Sequence, residues 1–331
     1  MTKLMIYGAA GYTGRMASIN VKAHGLEFVI AGRVQDEAKL IPQAEALGVE
    51  YRLFAANDQV AAAASLGDIG VLLNCAGPFI RTAEPLMRAC LAAGVHYLDI
   101  AAEMDSYRLA EALDQEALAA RVMLLPGSGG SVAMLGSLAG HAAKRVKNPT
   151  KLSIALDVAG GFSRGSAVSA SENVTTQTLH RVDGVLVERS AAELRDFDFD
   201  FGDGPATSFP VTLPDLITIW RATNIPNIET FVHISEGAFP EGDLAAMPDG
   251  PTLEQREANR YLAAVEVTGE DGTVVRSTLD TVNGYTFTTI AAAEAARRVV
   301  GGEARPGFQT PAMLFGDDFA ETIADTVIVD A

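Results

Sequence analysis

Three glycines in Gly8-Ala9-Ala10-Gly11-Tyr12-Thr13-Gly14 stand where a chain turns tightly and brings its backbone against a diphosphate. The run follows an apolar, strand-like segment and opens a helix-like one. Free amide N–H groups and the positive end of the helix dipole therefore face the phosphates, with Ala10, Tyr12 and Thr13 filling the loop. The spacing is GxxGxxG, a variant of the dinucleotide fingerprint found in NADP-using reductases. At the end of the next strand, where an NAD-binding chain places an acid for the ribose 2′-hydroxyl, this sequence has Gly32-Arg33. A guanidinium there suits a 2′-phosphate, so NADP(H) is the expected cofactor.

A hydride donor needs an acceptor and a proton source beside it, which directs attention to polar groups at later strand ends. Asn74-Cys75-Ala76-Gly77-Pro78 closes the fourth strand with small residues that let the loop approach ribose and nicotinamide, although Gly-Pro also simply ends strands. Asp99 and Glu103 follow the fifth strand and are the candidates to bind or protonate substrate, with Tyr97 as a further acid on the same side as Asp99. The alternative is that Asp99 and Glu103 cap a turn and a helix, and that Tyr97 is a satisfied core tyrosine. Ser128 and Ser131 open the helix after the sixth strand and either receive a substrate anion or cap that helix. Arg164 is expected to clamp the same anion, or to form a surface ion pair. The five histidines lack metal-ligand spacing, and no metal is expected.

These groups require a frame. From Lys3 to about Arg145 short apolar runs alternate with amphipathic ones, which predicts six strands, five helical crossovers and a parallel Rossmann sheet. Strands are expected at 4–7, 28–31, 49–54, 71–75, 97–100 and 122–125. After Pro149 the strands lengthen and alternate in polarity, as in 151–159 and in a hairpin across Asp271-Gly272, so a mostly antiparallel α+β domain follows. The expected division is a dinucleotide-binding domain at 1–130, an α+β substrate and dimerisation domain at 131–287, and a segment at 288–331 that returns to the first. Asp196 to Asp203 alternates Asp with Phe; its spacing fails as a calcium loop and reads as a strand with one apolar face.

The pieces Gly8 to Gly14, Ala31-Gly32-Arg33, Leu73 to Phe79 and His96-Tyr97-Leu98-Asp99 with Glu103 together resemble the saccharopine dehydrogenase-like family, which includes trans-acting enoyl reductase-type members. The likeness continues in Ser163-Arg164-Gly165-Ser166 and from Asn283-Gly284-Tyr285 to Pro311. It implies a second domain of the dihydrodipicolinate-reductase or glyceraldehyde-phosphate-dehydrogenase kind, frequent dimerisation, and pyridine-nucleotide chemistry on C=N or C=C bonds. Where relatives carry a proline and an acid after the sixth strand, this chain has Gly127-Ser128-Gly129-Gly130-Ser131, which argues against saccharopine itself as substrate.

The 331 residues include 42 acidic and 25 basic side chains, a formal charge of -17 that repels nucleic acid and anionic membranes. Neither a signal peptide nor a spanning segment is read, and the two cysteines, Cys75 and Cys90, suit a reducing cytoplasm. The expectation is a cytoplasmic, homodimeric NADP(H)-dependent oxidoreductase acting on a small C=N or C=C substrate between its domains. Two alternatives stand beside it. A non-catalytic NADP(H) sensor or scaffold predicts an exposed apolar patch, and an enoyl reductase on a lipid-like substrate predicts an apolar cleft.

Overall fold

Strands buried on both faces are a parallel sheet's signature, and the first part of the chain supplies them. A computed structural model describes residues 2–172, 178–191, 193–200, 202, 204–234, 243 and 246–331. The first elements are β1 (Leu4–Tyr7), α1 (Tyr12–Ala23), β2 (Phe28–Gly32), α2 (Glu37–Leu47), β3 (Tyr51–Leu53), α3 (Gln59–Ser65), β4 (Val71–Asn74), α4 (Phe79–Ala93), β5 (His96–Asp99), α5 (Met104–Ala112), α6 (Asp114–Ala120) and β6 (Met123–Leu125). Every residue of β1, β2, β4 and β6 is buried, whereas β3, at one edge, is half open.

The chain continues through α7 (Ser131–Lys144), β7 (Pro149–Val158), α8 (Arg164–Glu172), β8 (Leu179–Val182), β9 (Val185–Glu188), β10 (Arg195–Phe197), β11 (Ala206–Pro210), α9 (Asp215–Thr223), β12 (Asn227–Ile234), α10 (Leu253–Glu257), β13 (Tyr261–Gly269), β14 (Val274–Thr281), α11 (Gly284–Val300), β15 (Gly307–Phe308), α12 (Pro311–Phe315) and β16 (Val327–Asp330). Among the described residues the strands form two sheets. The first is parallel throughout, in the order β15-β6-β5-β4-β1-β2-β3, so the chain reverses its winding between β1 and β4, where such folds bind ligands. The second runs β10-β11-β12-β7-β13-β14-β16, with β8 and β9 off its side.

Several details depart from the sequence reading. The first sheet gains a strand, β15, whose two residues pair with Met123 and Leu124; so short a strand carries no periodicity. The helical crossover between β5 and β6 is two helices, α5 and α6. Their junction at Leu113 leaves the carboxylate of Asp114, in the first turn of α6, accepting the N–H of Phe308 at 2.7 Å. The second sheet is mostly antiparallel, as expected, but one pair, β7 and β12, runs parallel from Lys151↔Asn227 to Val158↔Ile234. The β13–β14 hairpin turns at Gly272, whose φ of +82° suits a residue without Cβ. Phe197 and Phe199 do share an apolar face, packed with Phe231, Leu262 and Ala264, while Phe201 lies outside the described residues.

One continuous core joins the sheets. It runs from Leu4, Ile6 and Ile30 through the alanines of α11 to Leu152, Ile154 and Val265. Ala291, Ala292, Ala293, Ala295 and Ala296 are fully buried, and their small size lets α11 lie close against α1. Gly129, in the loop between β6 and α7, fits the same close packing: a Cβ there would stand 2.5 Å from the carbonyl of Thr288 in α11. Among the described residues no helix is long and apolar enough to cross a membrane.

Candidate active site

The glycine-rich loop is shaped by what its residues lack. Gly8 turns out of β1 at φ +79°, and a Cβ there would lie 2.7 Å from Ala76, so the loops after β1 and β4 touch. A Cβ on Gly14 would collide with the carbonyl of Gly8, which fixes how closely α1 begins behind β1. Gly11 is the exposed N-cap of α1, and no side chain caps that helix. The first-turn amides of Tyr12, Thr13 and Gly14 thus lack intrahelical acceptors and face the carboxyl edge of the sheet. Free donors, a helix dipole and no intruding side chain are what a diphosphate requires, so these residues fit the dinucleotide that the sequence implies.

Arg33 follows β2 with its side chain 56% exposed, and its guanidinium makes a forked pair with Asp36 (Nε–Oδ2 2.8 Å, Nη2–Oδ1 3.1 Å). Gly32, packed under Leu40 and Asp36, keeps this corner tight. The residue expected to meet a 2′-phosphate is therefore already bonded to a carboxylate three positions on.

The loops after β4, β5 and β6 are knotted together by buried hydrogen bonds. Asn74 accepts the N–H of Ala76 at 2.9 Å and donates to Tyr97 Oη at 3.1 Å; Tyr97 donates to Asp99 at 2.9 Å. The other carboxylate oxygen of Asp99 accepts the N–H groups of Ala101 (2.9 Å) and Gly127 (2.8 Å), and its carbonyl receives both the N–H and the hydroxyl of Ser128. Asn74, Tyr97, Asp99 and Ser128 are all fully buried. Burial pushes the Asp99 carboxyl up to about 7 against the pull of those amide donors. These expected site residues are indeed together, but Asp99 and Tyr97 spend their polar atoms on neighbours and present none to a cleft. Burial also pushes the Cys75 thiol up to about 12, so it stays protonated. Glu103, 9% exposed, sits at the N-cap position of α5 without capping it; its carboxylate accepts the N–H of Ala102.

The second domain contributes groups that sequence reasoning gave no role. Tyr285, in the first turn of α11, accepts the N–H of Ser163 at 2.6 Å and bonds Ser166 Oγ at 3.0 Å. Its ring meets the edge of Tyr12 with centroids 5.5 Å apart. Ser131 bonds the hydroxyl of Tyr261, which burial holds above its ordinary range. Ser169, further along α8, reaches the Gly77 position, next to the cis Gly77–Pro78 peptide. Arg164 is engaged with Asp249, beside Arg15 of α1, rather than presented to an anion with Ser128 and Ser131. Its guanidinium also donates to the carbonyl of Met247. Asn283-Gly284-Tyr285 carried a signal in the family resemblance; Asp249 sits in Pro248-Asp249-Gly250-Pro251, which reads locally as a turn. Among the described residues no cluster of His, Cys, Asp or Glu is arranged to hold a metal.

Comparison with known proteins converges on the same region. The human saccharopine dehydrogenase-like oxidoreductase is 26% identical over 144 residues, covering 38% of this chain and 34% of the human protein; the mouse relative matches to the same extent. The chain thus aligns with about a third of those relatives' length. Among solved structures, saccharopine dehydrogenase (L-Glu forming) from Saccharomyces cerevisiae superposes with a TM-score of 0.67 at 12% identity, over 99% of this chain and 100% of that one, which shows a shared two-domain α/β fold. Strands β1 to β6, the glycine-rich loop and the Asn74–Tyr97–Asp99 knot described above all lie within residues 4–125, the stretch that matches the family described as saccharopine dehydrogenase NADP binding domain, so this part of the chain is similar to that domain.

Proposed function

We propose that this protein is an NADP(H)-dependent oxidoreductase that reduces a small C=N or C=C substrate in the cleft between its two sheets. The observation that carries the reading is the uncapped start of α1 behind three glycines, within a matched NADP binding domain. The dinucleotide supplies a hydride when bound. This chain's residues do the rest. The amides of Tyr12, Thr13 and Gly14 hold the phosphates, and Arg33 meets the 2′-phosphate by exchanging Asp36 for it.

Asn74 and Asp99 act as positioning residues in this reading: their hydrogen bonds fix the loops Asn74–Pro78 and Gly127–Ser131 against the ring end of the cofactor. Glu103 and the hydroxyl of Tyr285 are the groups left to touch substrate, Glu103 by binding a positive charge and Tyr285 by giving a proton. The polar groups gathered at this edge are mostly hydroxyls, of Ser131, Ser166 and Tyr285, which favours a small polar substrate over a lipid-like one. In the same reading the molecule is a cytoplasmic homodimer.

The test is equilibrium binding of NADPH and NADH to the purified protein, followed by NADPH oxidation over a panel of small imines and enones. Tight NADPH binding with turnover on at least one panel member is expected. Absence of measurable affinity for either dinucleotide would overturn the reading, and binding without any turnover would leave only a sensor.

A further inference from the structure

In a chain of net charge -17, three cations converge on one carboxylate at the start of α1. Asp249 binds Arg15 through Oδ2 at 3.1 Å and Arg164 through Oδ1, one guanidinium from each domain. Lys39 adds its field, and these bonds and charges outweigh partial burial to hold the Asp249 carboxyl below its usual range. Arg15 is anchored in the phosphate-binding loop itself, since its Nη1 donates to the carbonyl of Ala10 at 2.7 Å. Two guanidinium charges against one carboxylate leave a positive charge uncompensated beside the uncapped helix.

The segment carrying Asp249 is seated independently of that carboxylate. The hydroxyl of Tyr12 donates to the carbonyl of Pro251 at 2.6 Å and accepts from Arg256 at 2.6 Å; a Cβ on Gly250 would stand 2.7 Å from the Tyr12 ring. Losing its ion pairs therefore frees the Asp249 side chain without unseating its backbone. All three charged side chains are 37–41% exposed, so each pair is weak and water has access.

We propose that Arg15 and Arg164 form an inter-domain anion site for the dinucleotide's diphosphate, in which Asp249 is the resident stand-in that the diphosphate displaces. This rests on the oxidoreductase reading for its ligand, but not for its geometry. It also moves Arg164 from the substrate to the cofactor. A diphosphate carries the two negative charges that the arginines call for, where Asp249 supplies one.

The experiment titrates wild type, Asp249→Asn, Arg15→Ala and Arg164→Ala with NADPH, NADH and inorganic pyrophosphate, with circular dichroism to confirm folding. Removing the stand-in charge should tighten all three ligands by up to about fivefold, the worth of one exposed ion pair. Either arginine variant should weaken all three. An Asp249→Asn protein whose pyrophosphate or dinucleotide affinity is unchanged or lower overturns the proposal, as does an Arg164→Ala protein that binds them like wild type. Should pyrophosphate respond as expected while neither dinucleotide binds any variant, the anion site stands and the oxidoreductase reading falls.

Discussion

Tyr97 and Asp99, two residues apart on one side of β5, are joined by a 2.9 Å hydrogen bond inside a region with no exposure to solvent. The bond is one link in a chain from Asn74 to Gly127, and it converts a strand end into a frame for three loops. Removing different links has unequal consequences. Asp99→Ala strands the N–H groups of Ala101 and Gly127 and the hydroxyl of Tyr97, and each buried orphan costs about 1–3 kcal/mol. Tyr97→Phe leaves the carboxylate its two amide donors and leaves Asn74 its bond to Thr82 at 3.2 Å. Its cost should be about 1 kcal/mol. Urea denaturation should rank Asp99→Ala well below Tyr97→Phe, and equal stability of the two variants would contradict the frame.

Asp215 gives a pH signature. It is fully buried in the first turn of α9, and neither carboxylate oxygen has a hydrogen-bond partner among the described residues. Burial pushes it up to about 7, against a small pull from its own main-chain N–H. A carboxyl raised in the folded state binds its proton more tightly folded than unfolded. Its contribution is full below the ordinary carboxylate range and is lost as pH rises toward 7. Asp215→Asn should therefore be more stable than wild type at pH 8, by on the order of a few kcal/mol, with the difference shrinking toward pH 4. Thermal unfolding at both pH values measures it; a difference that does not change with pH would show Asp215 ionised without penalty.

The proposed preference for NADP(H) rests on a competition. Arg33 and Asp36 hold each other, so a 2′-phosphate must draw the guanidinium away from a carboxylate that also repels it. Arg33→Ala should weaken NADPH about tenfold to a hundredfold and NADH little, the range of a charge-assisted contact. Asp36→Ala should strengthen NADPH. Fluorescence titration of both nucleotides decides this, and equal losses of NADPH and NADH in Arg33→Ala would remove its selector role.

The first domain was legible because its strands are buried on both faces and its helices begin at recognisable turns. The glycine spacing, Arg33 and the strand ends could be placed from local pattern alone. The roles of Asp99 and Tyr97 could not, because a carboxylate at a strand end looks the same whether it faces a ligand or two backbone amides and a tyrosine hydroxyl. What decides between these is the loop after β6, a distant stretch of sequence. The two residues of β15 and the parallel pairing of β7 with β12 are likewise long-range facts. Asp249 and Tyr285 gain their partners only when the second domain folds against α1, and no spacing rule announces a contact between residues 15 and 249 or 163 and 285.

Tyr285 separates chemistry from binding. Its hydroxyl is fixed from the second domain by the Ser163 N–H and Ser166 Oγ, while its ring only abuts Tyr12. Asn283 caps the helix behind it by accepting the Tyr285 N–H at 3.1 Å, so the first turn survives loss of the hydroxyl. Tyr285→Phe should then keep the fold, the ring contact and NADPH affinity, and remove a proton donor that typically contributes about a hundredfold or more to rate. The expected result is a kcat lowered by about two orders of magnitude at a KM within severalfold of wild type. A KM raised at unchanged kcat would instead make the hydroxyl a substrate-binding group, and full turnover would retire it from the chemistry altogether.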